Sequence, residues 1–333
     1  MTAGLAIALA VGLVVGGFAF LGWGLVGWLG AWRLNRPPPS RPEANFTFTP
    51  WELGVEFEPV ELETADGVAL EGWFLPRPSS RRVVVAMHGY RGNKAQILGI
   101  SSYLWRAGFN VLLFDFRGRG GSQRAPFSMG CWEVEDLVAA LEEASARVED
   151  ATIGLLGYSV GGAVAILGGS DPRVAAIVVD SSFPSQRAVL ESVAARDARR
   201  VFGTRLDGRL FLPAVEWWHR RMGKPAFDDI APEAALPVLE GTPILFIHGT
   251  RDGIVPLVLA ERLVAAAREP HETWFVNGAS HCGAYFLDRE TYCTRVAAFF
   301  SRHLGREKPN PARGEVRRTA VSVPQAGEEP KRA

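Results

Sequence analysis

The sequence predicts an α/β fold: a mostly parallel sheet of eight strands with helices on both faces and a helical cap inserted late in the chain. Three observations carry this. Short, continuously apolar runs alternate with segments of helical spacing, as strands buried on both faces require. A hairpin signal, Asp66-Gly67, precedes that alternation. The alternation breaks once, from Phe183 to Leu239, and then resumes.

The chain opens on a separate element. No charged side chain occurs from Thr2 to Trp32, and a hydrocarbon core needs only about 20 apolar residues to be crossed. A cleaved signal peptide would start with basic residues and carry an apolar stretch of about 7–15 residues. Here no Lys or Arg comes first, so residues 1–32 read as a retained transmembrane helix. Trp23, Trp28 and Trp32 gather toward its C-terminal end, where indoles favour the headgroup layer. Gly12 and Gly16 form a G-x-x-x-G spacing, which a segment this rich in glycine produces by chance. Arg33, Arg36 and Arg41 follow directly, and the positive-inside rule then puts the N-terminus outside and the remaining domain in the cytoplasm. Pro37, Pro38, Pro39 and Pro42 make residues 33–50 a stiff linker.

The globular domain spans residues 51–304. Val55 to Thr64 and Val68 to Leu75 read as strands joined at Asp66-Gly67. Strands follow at Arg82 to Met87, Asn110 to Phe116, Thr152 to Leu156 and Val174 to Val179. Between them, helical spacing runs over Ala95 to Arg106, Trp132 to Arg147 and Val160 to Leu167; Val134, Leu137, Val138 and Leu141 share one face of the second. After the break, Pro243 to Ile247 and Glu272 to Val276 are strands, and Leu257 to Ala267 and Tyr292 to His303 are helices. A structureless loop as long as 183–239 does not suit a compact domain, so that insertion is expected to be a small helical cap. Residues 305–333 turn rich in Pro, Arg and Glu and are expected to be disordered.

Composition narrows the function. Of 333 residues, 47% are hydrophobic and 22% charged, enough for a sizeable core. The formal net charge of zero gives no electrostatic footprint for nucleic acid. Three cysteines, Cys131, Cys282 and Cys293, with no C-x-x-C, speak against a disulfide framework or zinc site and suit a reducing compartment.

The stretch Gly157-Tyr158-Ser159-Val160-Gly161 sits where a strand meets a helix. A serine on so sharp a turn is held clear of the sheet, and only glycine leaves room two residues to either side. A hydroxyl needs a base to become a nucleophile. Two further strand ends supply candidates. One leads into His248-Gly249-Thr250-Arg251-Asp252-Gly253, the other into Asn277-Gly278-Ala279-Ser280-His281. Ser159, Asp252 and His281 therefore all emerge at one edge of the sheet, with His281 as base and Asp252 as its orienting acid. Asp180 also ends a strand and is the alternative acid. His88 and His248 read as structural members of "HG" turns, Asp115 as an ion-pair partner of Arg117 and Arg119, and Cys282 as packing. The backbone amides of Val160 and of Tyr90, in the loop His88-Gly89-Tyr90-Arg91-Gly92-Asn93, are the candidate oxyanion donors.

Taken together, "HGYRGN", "DFRGRGGS", "GYSVGG", "HGTRDGIVP" and "GASHCGAY" resemble, in order and spacing, the serine α/β-hydrolase superfamily over roughly Val55 to Leu304. The chain looks nearest to bacterial serine aminopeptidase-like and lysophospholipase-like hydrolases, some of them membrane-anchored. The resemblance implies the α/β-hydrolase fold, Ser159, Asp252 and His281 as catalytic triad, Tyr90 and Val160 as oxyanion-hole donors, and neither metal nor cofactor. Relatives that attack alkyl carbon place aspartate at this turn. Serine attacks acyl carbon.

The expected activity is hydrolysis of a small acyl substrate, ester or thioester, with membrane lipid as the partner of the N-terminal helix. A small-peptide or amide hydrolase and a non-catalytic binding protein of the same fold are the alternatives. In the cap, at least one of Trp217 and Trp218 is expected to face an acyl pocket or the membrane, with Arg220, Arg221 and Lys224 toward anionic headgroups; alternatively both indoles pack the cap's own core.

Overall fold

The computed structural model describes residues 3–35, 48–202 and 207–305. Most of the proline-rich linker and nearly all of the C-terminal tail expected from the sequence lie outside the described residues. A long helix, α1 (Ala3–Asn35), comes first. The strands are β1 (Glu58–Glu63), β2 (Ala69–Leu75), β3 (Arg82–Met87), β4 (Asn110–Phe114), β5 (Thr152–Tyr158), β6 (Val174–Asp180), β7 (Ile244–Gly249) and β8 (His271–Val276). The helices are α2 (Leu98–Arg106), α3 (Glu133–Arg147), α4 (Val160–Leu167), α5 (Gln186–Phe202), α6 (Leu212–Arg221), α7 (Pro232–Ala235), α8 (Leu257–Ala265), α9 (Ala284–Leu287) and α10 (Arg289–His303).

The eight strands form one sheet in the order β1-β2-β4-β3-β5-β6-β7-β8. β2 runs antiparallel to both β1 and β4, and the other pairings are parallel. β1 alternates buried and exposed residues, as an edge strand with one wet face does, whereas β4, β6 and β7 are buried throughout. Successive strand residues feed opposite layers. Val83, Val85 and Leu155 pack with Leu137, Leu141 and Val164 of α3 and α4. Val84, Leu156 and Val178 pack with Leu104, Val296 and Phe300 of α2 and α10. The chain reverses its winding between β3 and β5, and such a reversal opens a crevice at the C-terminal strand ends.

The buried stripe of α3 differs from the apolar one read off the sequence. Glu133, Asp136, Leu137, Ala140, Leu141 and Ala144 face inward, while Val134 and Val138 are half-buried. Two acids turn inward because each has partners there. Glu133 accepts from the Ser128 and Gly130 amides and the Ser128 hydroxyl at 2.6–2.8 Å. Asp136 accepts from the Arg117 side chain at 2.7 Å and its amide at 2.9 Å. Arg117 also pairs with Asp66 at 2.7 Å, and so ties the first hairpin to α3. Asp115 pairs with Lys94 at 2.6 Å rather than with its neighbouring arginines, because Arg117 turns to α3 and Arg119 donates to the Tyr90 carbonyl at 2.8 Å.

The insertion between β6 and β7 folds as helices, α5 to α7 with short 3₁₀ turns. α1 continues past Trp32 to Asn35 and packs along α6. Trp218 donates from its indole to the Gly24 carbonyl of α1 at 3.1 Å, and Trp217 stands edge-on to it at 4.7 Å, half-exposed. Neither indole is among the residues lining the cavity beside Ser159; Trp218 meets α1, whereas Trp217 contacts Trp218 and the Arg221 guanidinium of its own helix. Lys224 likewise turns inward, donating to the Phe127 carbonyl at 3.0 Å, because the Trp132 ring offers its ammonium a face at 4.7 Å.

Asp136→Ala leaves the Arg117 guanidinium, 3% exposed, without its innermost partner. Removing one member of a buried pair costs about 3–5 kcal/mol, so urea unfolding followed by circular dichroism should show a loss of that order. A loss comparable to that of an exposed pair would mean that Asp66 alone suffices for Arg117.

Candidate active site

Ser159 stands between β5 and α4 with φ 53° and ψ −109°. An L-residue holds such a backbone only where its surroundings enforce it. The Ser159 amide donates to the Asp180 carbonyl at 2.8 Å, and its own carbonyl accepts from Ala163 at 3.1 Å. A Cβ on Gly157 would lie 2.2 Å from the Gly161 carbonyl oxygen, and one on Gly161 would lie 2.5 Å from the Met87 carbonyl oxygen. Backbone occupies both spaces, so no side chain fits.

The structure brings Ser159, His281 and Asp252 into one hydrogen-bonded line. The Ser159 hydroxyl lies 3.0 Å from His281 Nε2, and His281 Nδ1 lies 2.7 Å from Asp252 Oδ2. The other carboxylate oxygen of Asp252 accepts from the Ile254 and Val255 amides at 2.8 and 2.9 Å, which fixes the acid in its loop. With Nδ1–H held by the carboxylate, Nε2 is left to accept the serine proton.

Asp180 takes a different place. Its carboxylate accepts from Ser181 Oγ at 2.8 Å and Tyr292 Oη at 3.0 Å, and does not touch the imidazole. Burial raises its pKa to about 6. Ser181 Oγ in turn accepts from the Cys282 amide at 3.0 Å, which secures the loop carrying His281. The sequence offered no sign of this tie, since Ser181 and Cys282 are 101 residues apart. Cys282 is packed beside it, its thiol pushed well up by burial. His248 donates from Nε2 to the Val255 carbonyl at 2.9 Å, and desolvation lowers its pKa.

The loop after β3 approaches Ser159 closely: a Cβ on Gly89 would be 3.6 Å from the serine Cβ. The Gly89 amide is taken up by the Gln96 side chain at 3.0 Å, a contact that sequence reading missed. The Tyr90 and Val160 amides, by contrast, make no hydrogen bond among the described residues. Both residues line a cavity of about 990 Å³ with Ser159 and His281. Phe183, Val189, Val193 and Leu212 give that cavity apolar walls. Among the described residues no cluster of His, Cys, Asp and Glu could hold a metal ion.

This fold and this geometry are those of a hydrolase of the α/β class. The profile of the alpha/beta hydrolase family matches residues 83–295, and the chain belongs to that family. An uncharacterized protein of Mycobacterium tuberculosis is 32% identical over 246 residues, 73% of this chain and 78% of that protein. The uncharacterized protein YfhR of Escherichia coli K12 is 27% identical over 250 residues, 72% of this chain and 77% of its own. Among solved structures, an esterase of Pyrococcus furiosus superposes with a TM-score of 0.63 at 26% identity, over 81% of this chain and 100% of that one.

His88 gives the fold a pH dependence. The neutral ring is fully used: Nδ1–H donates to the Gly89 carbonyl at 2.7 Å, and Nε2 accepts from the Phe116 amide at 3.1 Å. Burial drives its pKa down to about 4. The unfolded chain therefore takes up a proton near pH 6.5, and the folded one does not until about 4. Stability is complete above the higher value and is lost as pH falls through this window, by on the order of 3 kcal/mol. Melting temperatures measured between pH 7 and 4 should fall less steeply in His88→Asn than in the wild type. Equal slopes would assign the acid sensitivity to other groups.

Proposed function

We propose that the protein is a membrane-anchored serine hydrolase that cleaves carboxylic esters or thioesters of apolar acids through an acyl-enzyme. The observation that carries this reading is the Ser159–His281–Asp252 hydrogen-bonded line, at 3.0 and 2.7 Å, opening on an apolar-walled cavity. In the first half-reaction Ser159 Oγ attacks the acyl carbon while His281 Nε2 takes the hydroxyl proton. Asp252 holds the ring and balances the imidazolium charge. The unspent Tyr90 and Val160 amides receive the oxyanion. Collapse expels the alcohol or thiol, which leaves with the proton from His281. Water then enters and attacks the acyl carbon as it gives its proton to His281; the bond to Ser159 Oγ breaks, His281 returns that proton to Oγ, and the acid departs.

The anchor rests on α1, which is long and apolar enough to cross a membrane. Arg33 in its last turn, with Arg36 and Arg41 further along the sequence, favours a cytoplasmic catalytic domain. The relation to the Pyrococcus esterase favours ester chemistry over amide chemistry.

A fluorophosphonate probe should label the wild type and not Ser159→Ala. Asp252→Asn should lower ester turnover by about 10⁴-fold, as loss of the orienting acid does. Asp180→Asn, which alters only hydroxyl contacts to Ser181 and Tyr292 away from the ring, should cost far less. Faster turnover of aminoacyl amides than of p-nitrophenyl acyl esters would replace the esterase reading with a peptidase one.

A further inference from the structure

α1 has 33 residues, about 50 Å of helix at 1.5 Å per residue. A hydrocarbon core of about 30 Å takes up only about 20 of them. Burial changes along the described residues of the helix near Trp23. Every described residue from Gly12 to Gly22 is exposed, while Trp23, Gly24, Gly27, Gly30, Ala31 and Leu34 are wholly or partly buried against the domain.

The contact of this second half with α6 is too close for side chains. A Cβ on Gly27 would lie 2.4 Å from Ala214 Cβ, and one on Gly30 would lie 2.9 Å from Val215 Cγ2. Polar ties fix it at both ends. Trp23 donates to the Leu210 carbonyl at 3.0 Å. Asn35 Nδ2 donates to His219 Nδ1 at 3.1 Å, an acceptor kept neutral because burial lowers its pKa to about 4. A further tie reaches past the cap altogether: the Tyr90 hydroxyl donates to the Leu34 carbonyl. Tyr90 belongs to the loop that faces Ser159. Gly30, Arg33 and Leu34 line the cavity on which Ser159 opens.

We infer that residues 23–35 of α1 are a specificity element of the acyl site: Leu34 closes one side of the cavity, and its carbonyl positions the oxyanion loop through Tyr90. This rests on the acyl-hydrolase reading above. Packing of α1 on the cap for stability alone would need neither the bond to Tyr90 nor Leu34 in the cavity wall. The substrate class that such a wall discriminates is straight-chain acyl groups by length, because an extended chain reaches the cavity wall and an acetyl group does not.

The test uses the full chain in lipid nanodiscs, with p-nitrophenyl acetate, dodecanoate and hexadecanoate as substrates and a fluorophosphonate to count active Ser159. Leu34→Trp should lower the dodecanoate-to-acetate ratio of kcat/KM about tenfold, the effect of two methylenes denied burial. Leu34→Ala should raise the hexadecanoate-to-dodecanoate ratio. Opposite shifts from one position are not produced by partial unfolding. Tyr90→Phe keeps its amide but loses the bond to Leu34, and should lower kcat for all three esters with little change in KM. Ratios unchanged in both Leu34 variants, with Ser159 still labelled, would overturn this inference and leave the hydrolase reading standing. Absence of labelling in the wild type would remove both.

Discussion

The site depends on one backbone conformation, the positive φ of Ser159. Left-handed backbone costs a non-glycine residue of order 1–3 kcal/mol. It persists here because the turn is held from both sides: by the Asp180 carbonyl on β6 and by the first turn of α4. That turn closes only if Gly157 and Gly161 present bare backbone to each other and to the end of β3. The sheet order then places everything else. β3 and β5 are neighbours at the winding reversal, so the loop with Tyr90 necessarily faces Ser159. β6 and β7 follow on the other side, and their ends carry Asp180 and the Asp252 loop. A strained serine is thus the fixed point about which the Tyr90 loop, His281 and Asp252 are arranged, and the parallel sheet holds it there.

Much of this was legible in the sequence because its signals are local. A strand, a turn with two obligatory glycines and a helix lie within fifteen residues of each other around Ser159, and each speaks for the others. The ends of β7 and β8 announced Asp252 and His281 in the same way. What the sequence could not display were partnerships between distant residues. Asp115 has two arginines close by in the chain, yet pairs with Lys94, 21 residues upstream. The apolar stripe of α3 is interrupted by two acids whose partners lie on other elements. The docking of α1 on α6 and on the 3₁₀ turn before it joins residues 194 and 187 apart, and its small-residue contact is camouflaged in a segment full of glycine. The spacing that sequence reading singled out, Gly12 and Gly16, lies on the exposed part of the helix. The pair that works, Gly27 and Gly30, lies on the part that docks.

An uncharged helix reads as an anchor because nothing in its composition separates lipid from protein as its solvent. Both are apolar, and both accept leucine, valine and glycine. Geometry separates them. Lipid adapts to any side chain, whereas a helix packed at close range needs small residues at fixed spacing and polar groups that meet partners. Trp23 and Trp218 each donate an indole N–H across this contact to a backbone carbonyl. An indole oriented by headgroups alone has no such fixed acceptor.

The two acids at the sheet edge show how position alone can mislead and what decides between them. Asp180 and Asp252 each end or follow a parallel strand beside Ser159. The donors differ. Asp252 receives two backbone amides on one oxygen and leaves the other for the imidazole N–H. Asp180 spends both oxygens on hydroxyls, from Ser181 and Tyr292, in a fully buried site. Amides held in a tight loop cannot turn away and so define where the second oxygen points. Hydroxyls can rotate, and they suit an acid whose work is to bind elements together. Through Ser181 that work reaches the Cys282 amide, next to His281 in the chain. One carboxylate therefore orients the ring directly, and the other secures the backbone from which the ring projects. Exchanging their roles would require moving a loop, not merely a proton.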